Sequence, residues 1–172
     1  MREKIKEQIL ASASMKEAMV DGCMDDIVSA ATFMIECIQN GGKILWCGNG
    51  GSAGDAQHLA TELMGGMTSH ERKPIPSIAL TTDSSFLTAW SNDTDFESVF
   101  SRQVQGLGKE GDVLVGISTS GNSKNVIAAI KQAKFKGLKT VVFTGKSGGW
   151  MNGLAAVSYT HIRAHETSLH IV

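Results

Sequence analysis

The sequence predicts an α/β fold, a doubly wound parallel sheet flanked by helices and preceded by two N-terminal helices. Three observations carry that prediction. Short apolar runs alternate with amphipathic stretches of helical length, the pattern of successive βαβ units. The runs are nearly continuous in apolar residues, as strands buried on both faces require. Two of them also end in junctions rich in glycine or serine directly ahead of a helix, at Gly48-Asn49-Gly50-Gly51-Ser52 and at Ser118-Thr119-Ser120-Gly121-Asn122-Ser123.

Residues 2–20 place Ile5, Ile9, Leu10, Met15 and Met19 near helical spacing. Residues 24–39 carry Ile27, Val28, Ala31, Ile35 and Ile38 on one stripe and stop at Asn40-Gly41-Gly42. The first strand is 43–47, and its helix runs over about 52–65. Residues 66–76 are polar, hold both prolines and read as a surface loop. A second strand covers 77–80, and Asp83 or Ser84 is placed to cap a helix over 85–91. Residues 92–95 read as a turn and 96–106 as a helix with Phe96, Val99, Phe100 and Val104 inward. Strand 113–117, helix 123–136 and strand 140–143 follow, then a turn at Gly145–Gly149 and a short helix over 150–154. Right-handed crossovers put the C-terminal ends of all parallel strands on one edge, so both loops can face one ligand.

Composition excludes several classes. The 172 residues carry a net charge of −1, which gives no global basic field for nucleic acid. No run of 18 apolar residues offers a membrane span. The charged start, Met1-Arg2-Glu3-Lys4-Ile5-Lys6, has no apolar run behind it and is not a signal peptide. Three cysteines, Cys23, Cys37 and Cys47, without paired spacing fit a reduced, cytoplasmic chain. The length fits one domain, and the two N-terminal helices either cover their own sheet or form an oligomer interface.

The chemistry concentrates at the two junctions. Gly48-x-Gly50-x-x-Ala53 matches the dinucleotide fingerprint, but the acidic residue required about 20 positions later is missing, since Asp83 lies far beyond it. Gly145-Lys146-Ser147 looks like the end of a P-loop, yet the position five before Gly145 is Thr140 instead of glycine. Ser118, Thr119, Ser120 and Ser123 offer four hydroxyls at a helix start, where one would suffice as a cap. Hydroxyls and helix N–H groups together are neutral donors for a phosphate. His58 and Glu62 stand four apart on one helix face, able to act as an acid/base or metal pair or simply to be solvated. Cys47 ends a buried strand and reads as a small core residue.

The motifs Cys47-Gly48-Asn49-Gly50-Gly51-Ser52, His58…Glu62-Leu63, Ser91-Asn92-Asp93, residues 111–123 and Thr144-Gly145-Lys146 together resemble the sugar isomerase (SIS) domain family, over about residues 1–157. The resemblance implies a flavodoxin-like sheet and, in its nearest branch, a cytoplasmic homotetramer. That branch converts sedoheptulose 7-phosphate to D-glycero-D-manno-heptose 7-phosphate, a step toward the activated heptoses of lipopolysaccharide. It also implies roles by position: a phosphate loop at Ser118, Thr119, Ser120 and Ser123, and sugar contacts at Asn49, Gly50, Gly51, Ser52, Asn92 and Asp93. The catalytic carboxylate maps to Glu62, and zinc, where the family binds it, maps to His58 and Glu62.

The family's C-terminal helix, with a glutamine and a histidine that complete the metal site and supply a second acid/base group, is missing here. Residues 158–172 instead resemble a translated sequencing-adaptor read, so this tail reads as non-native and its three histidines as accidental. The resemblance therefore implies an incomplete active site in the chain as it stands. Two rival readings share the loops. One is a non-catalytic SIS regulator that binds a protein partner such as the replication initiator. The other is an isomerase or binder of another phosphosugar. The carboxylate at Glu62 favours an enzyme.

Overall fold

A computed structural model describes residues 1–67, 69–145 and 147–160, without the side chains of 159 and 160. Lys146, His161, His165 and His170 therefore lie outside the described residues, as does the tail from 161. Two helices open the chain, α1 (Arg2–Gly22) and α2 (Met24–Gln39). The core alternates β1 (Ile44–Gly48), α3 (Gly51–Gly65), β2 (Ser77–Ala79), α4 (Ser84–Asp93), α5 (Val99–Leu107), β3 (Val113–Ser118), α6 (Lys124–Phe135), β4 (Lys139–Thr144) and β5 (Val157–Thr160). A single 3₁₀ turn, Gly149–Met151, precedes β5.

The sheet has the order β2-β1-β3-β4-β5, and every recorded pair is parallel. The doubly wound sheet expected from the sequence is present. The strand order reverses between β1 and β3, which pair from Ile44↔Val113 to Gly48↔Ile117. That register sets the two glycine- and serine-rich junctions side by side on the C-terminal edge, at a topological switch point. Core residues divide by strand alternation. Leu45, Cys47, Leu114 and Val142 pack with Val104, Val126 and Ile130 on one face, while Ile44, Trp46, Val113, Val115 and Val141 pack with Ala56 and Ala60 on the other.

Several boundaries differ from the sequence reading. Asn92 and Asp93 belong to the last turn of α4, which starts at the Asp83 cap on the Phe86 amide (2.9 Å) and closes where the Thr94 amide bonds to the Trp90 carbonyl (2.9 Å). The helix expected over 96–106 starts only at Val99, because Asp95 takes the Ser98 amide at 2.6 Å and holds a turn there. The helix placed over 150–154 is the single 3₁₀ turn. A fifth strand, which the sequence reading lacks, pairs Val141↔Val157 and Val142↔Ser158 across residue 158, where that reading begins the tail. No helix among the described residues is long and apolar enough to cross a membrane.

Candidate functional site

The loop after β1 is shaped by its glycines. Gly48 sits so close to the next turn that a Cβ there would meet the Ser52 carbonyl oxygen at 2.7 Å. Gly50 has φ 55°, a conformation that L side chains rarely adopt, and it stands at the N-cap of α3. The Ser52 and Ala53 amides close the turn onto the Asn49 and Gly50 carbonyls at 3.0 Å each. Gly50 and Gly51 are exposed, so this backbone is open to a ligand.

The loop after β3 is braced from behind. Gly121 (φ 66°) packs so tightly on the turn after β4 that a Cβ would run into the Gly148 carbonyl oxygen. Three hydrogen bonds seal this contact: the Gly145 amide to the Thr119 carbonyl (3.0 Å), the Met151 amide to the Gly121 carbonyl (3.0 Å), and the Trp150 amide to Asn122 Oδ1 (3.0 Å). The hydroxyls are graded in exposure. Ser118 is buried, Thr119 and Ser123 are half-buried, and Ser120 is exposed. Ser118 and Ser123 share one hydrogen bond at 2.9 Å, and Ser120 Oγ accepts from the Asn122 amide at 3.2 Å. Ser120 therefore keeps its own hydrogen to donate.

One contact joins the two loops. Asn49 and Asn125 form a reciprocal amide pair, each Nδ2 donating to the other's Oδ1, at 2.9 and 2.8 Å. The sequence reading placed Asn49 at the site but missed Asn125. The signal available was a second polar residue in the first turn of α6, on the side that otherwise carries Val126 and Ile130 into the core.

His58 and Glu62 stand apart from these loops. Ala56 and Ala60 turn α3 toward the sheet, so at 100° per residue His58 and Glu62 lie on the outward side. Glu62 is eleven residues beyond Gly51, about 16 Å along the helix axis at 1.5 Å per residue. Its side chain is 27% exposed, that of His58 is 71% exposed, and His58 Nε2 lies 3.8 Å from Glu62 Oε1. Arg72 closes this end of α3, donating to the Glu62 and Leu63 carbonyls at 2.6 and 2.7 Å. Asn92 and Asp93 are exposed and bond to each other at 2.8 Å; among the described residues no hydrogen bond ties them to either loop. The structure thus brings Asn49 to Ser52 together with Ser118 to Ser123, and leaves His58, Glu62, Asn92 and Asp93 outside that cluster.

No cluster of three or more metal-ligating side chains occurs among the described residues. His58 and Glu62 alone do not fit zinc, which takes four ligands in a tetrahedron. Cys47 is fully buried in the core, and that burial pushes its thiol up to about 12. A cleft of about 370 Å³ lined by Asp95, Glu97, Ser98 and Ala128 is acidic and unsuited to an anion.

The fold has counterparts in known proteins. The SIS domain family matches residues 9–145. A phosphoheptose isomerase of Shewanella sp. strain ANA-3 is 46% identical over 163 residues, 95% of this chain and 82% of that protein. One from Nitratidesulfovibrio vulgaris is 47% identical over 158 residues, 92% of this chain and 76% of that protein. Among solved structures, the phosphoheptose isomerase of Neisseria gonorrhoeae superposes with a TM-score of 0.86 at 43% identity, covering 94% of this chain and 88% of that one. The Francisella tularensis enzyme gives 0.89 at 35% identity, covering 94% and 85%.

Proposed function

This chain belongs to the phosphoheptose isomerases of the SIS domain family, and from that premise we propose that it interconverts D-sedoheptulose 7-phosphate and D-glycero-D-manno-heptose 7-phosphate. The observation that carries the reading is the pair of open loops held together at the C-terminal edge of β1 and β3, both built from neutral hydrogen-bond donors. The phosphate sits on the hydroxyls of Ser118, Thr119, Ser120 and Ser123 and on the N–H groups at the head of α6. The sugar hydroxyls lie against Asn49, Gly50, Gly51 and Ser52, with Asn92 and Asp93 contributing further contacts. Phosphate binding supplies energy remote from the reacting carbons, which positions them for proton transfer.

Glu62 is the base in this reading. It takes the proton from the carbon beside the carbonyl, and the electron pair moves onto the carbonyl oxygen to give an enediolate. The proton returns at the neighbouring carbon, while one hydroxyl proton passes between the two oxygens, so the sum is an isomerisation with no net redox change. His58 and Glu62 would supply only two of the four ligands that zinc takes, and no step here depends on it.

The outward placement of Glu62 supports a homotetramer. The helices α2 and α3, which pack on one face of the sheet, carry the exposed apolar residues Ile27, Val28, Ile35 and Met64, and α1 buries none of its own residues. Assembly through α1, α2 and α3 covers these surfaces and brings the Glu62 of one subunit toward the loops of a neighbour. A soluble metabolic enzyme of this family is expected in the cytoplasm, at the entry to heptose units of lipopolysaccharide.

The test is turnover of sedoheptulose 7-phosphate by the purified chain. Glu62→Gln is expected to abolish turnover and keep sugar-phosphate binding. Mixing Glu62→Gln subunits with Ser120→Ala subunits is expected to restore part of the activity. Full activity of Glu62→Gln would overturn its assignment, and failure of the mixture to recover any would overturn the shared site.

A further inference from the structure

We propose that Asn125 is a positioning residue that sets the two loops in register and frees Ser123 to face the ligand. The inference rests on the reading of the loops as a sugar-phosphate site and adds a residue to it. Asn125 is 3% exposed, inside the first turn of α6 and two positions after Ser123. Its amide pairs with that of Asn49, 76 residues away, through two bonds of 2.9 and 2.8 Å. Two parallel hydrogen bonds fix both the distance and the plane of the partners, as one bond would not. The loop after β1 is thereby tied to the helix that carries the loop after β3.

Asn125 Oδ1 also accepts the Val126 amide at 3.0 Å. That amide is the third of the helix, the donor an N-cap serine ordinarily satisfies. Ser123 occupies the N-cap and makes no side-chain cap bond. Its hydroxyl instead pairs with Ser118 Oγ at 2.9 Å. Asn125 takes over the capping, and the Ser123 hydroxyl stays in the cradle. Without Asn125, Ser123 has an open helix amide to turn toward, and Asn49 loses both hydrogen bonds of the pair.

The experiment is a two-residue cycle with two readouts, on the full chain. Asn125→Ser keeps a small polar group but cannot reach Asn49; Asn49→Ala removes the pair from the other side. Binding of D-sedoheptulose 7-phosphate is followed by titration calorimetry, and backbone exchange by mass spectrometry. Each single variant is expected to weaken binding about tenfold, and the double variant no further than the weaker single, because both remove one link. Exchange over residues 50–54 is expected to accelerate in Asn125→Ser, with residues 141–143 unchanged. Losses that multiply in the double variant, or exchange over 50–54 equal to that of the unaltered chain, would overturn the proposal. If the unaltered chain binds no sugar phosphate, the functional reading falls and the exchange result alone decides the role of Asn125. Should Asn125→Ser not fold, Asn49→Ala carries the same exchange test.

Discussion

The two ends of the sheet are built on opposite principles. At the N-terminal end, Asp112 is buried and its carboxylate accepts from the Lys43 amide (2.9 Å), the Lys43 ammonium (2.5 Å) and the Lys109 amide (2.8 Å). Charge and donors there satisfy one another. At the C-terminal end no cationic side chain enters the described hydrogen bonds of either loop. Glycine backbone and hydroxyls hold their shape through bonds to each other and leave Gly50, Gly51 and Ser120 exposed. A closed ion pair holds strands together, whereas an open set of neutral donors can take an anion. The same two strands, β1 and β3, run between both ends.

The comparison breaks most visibly at Asp112. Asp112→Ala strands the Lys43 ammonium and two amides, and is expected to cost about 3 kcal/mol. Urea unfolding measures this, and sugar-phosphate affinity at the far end is expected to stay within twofold. An equal loss of affinity would mean that the two ends are not independent.

Gly121→Ala is the matching change at the open end. It forces a side chain into φ 66° and against the Gly148 carbonyl, at an expected cost of about 1–3 kcal/mol. Here binding is expected to fall together with stability. A variant with lowered stability but normal binding would separate the brace from the site.

Between the ends lies Cys47, at the edge of the core just below the open loop. Burial raises its thiol from 9.0 to about 12, so the folded state holds a proton that the unfolded state releases above 9. Stability is therefore fully present below pH 9 and declines as pH rises toward 12, by about 1.4 kcal/mol per unit. Cys47→Ala is expected to flatten that decline in pH-dependent denaturant titrations. The smallest effect belongs to His58→Gln, because an exposed pair at 3.8 Å contributes about 0–1 kcal/mol. A stability loss well above that range, appearing only with added zinc, would sharpen the role of His58.

The sheet was legible because its strands bury both faces, and a run such as Val113-Leu114-Val115-Gly116-Ile117 admits few other placements. The two loops were legible because glycine and clustered hydroxyls have local reasons to occur at strand-to-helix junctions. Asn125 was not, because its partner lies in another βα unit and only the parallel register brings them together. The end of α4 was misplaced for a related reason. Asn92 and Asp93 favour turns locally, yet the helix packed on the core through Phe86, Leu87 and Trp90 runs through them. β5 is not legible in the sequence because Val157-Ser158-Tyr159-Thr160 shows no apolar run and becomes a strand only by pairing with β4. The outward direction of Glu62 could have been counted from the alanines at 56 and 60, which a search for i, i+4 partners alone does not weigh.

The measurement that bears most directly on the open end is calorimetric titration of D-sedoheptulose 7-phosphate into the unaltered chain and into the Ser120→Ala and Ser123→Ala variants. A charge-assisted hydrogen bond contributes about 1.5–3 kcal/mol, so each variant is expected to bind roughly 10- to 100-fold more weakly. Unphosphorylated sedoheptulose is expected to give no measurable heat with any of them. Equal affinities across all three chains, or equal binding of the sugar with and without its phosphate, would contradict the assignment of these hydroxyls to an anion.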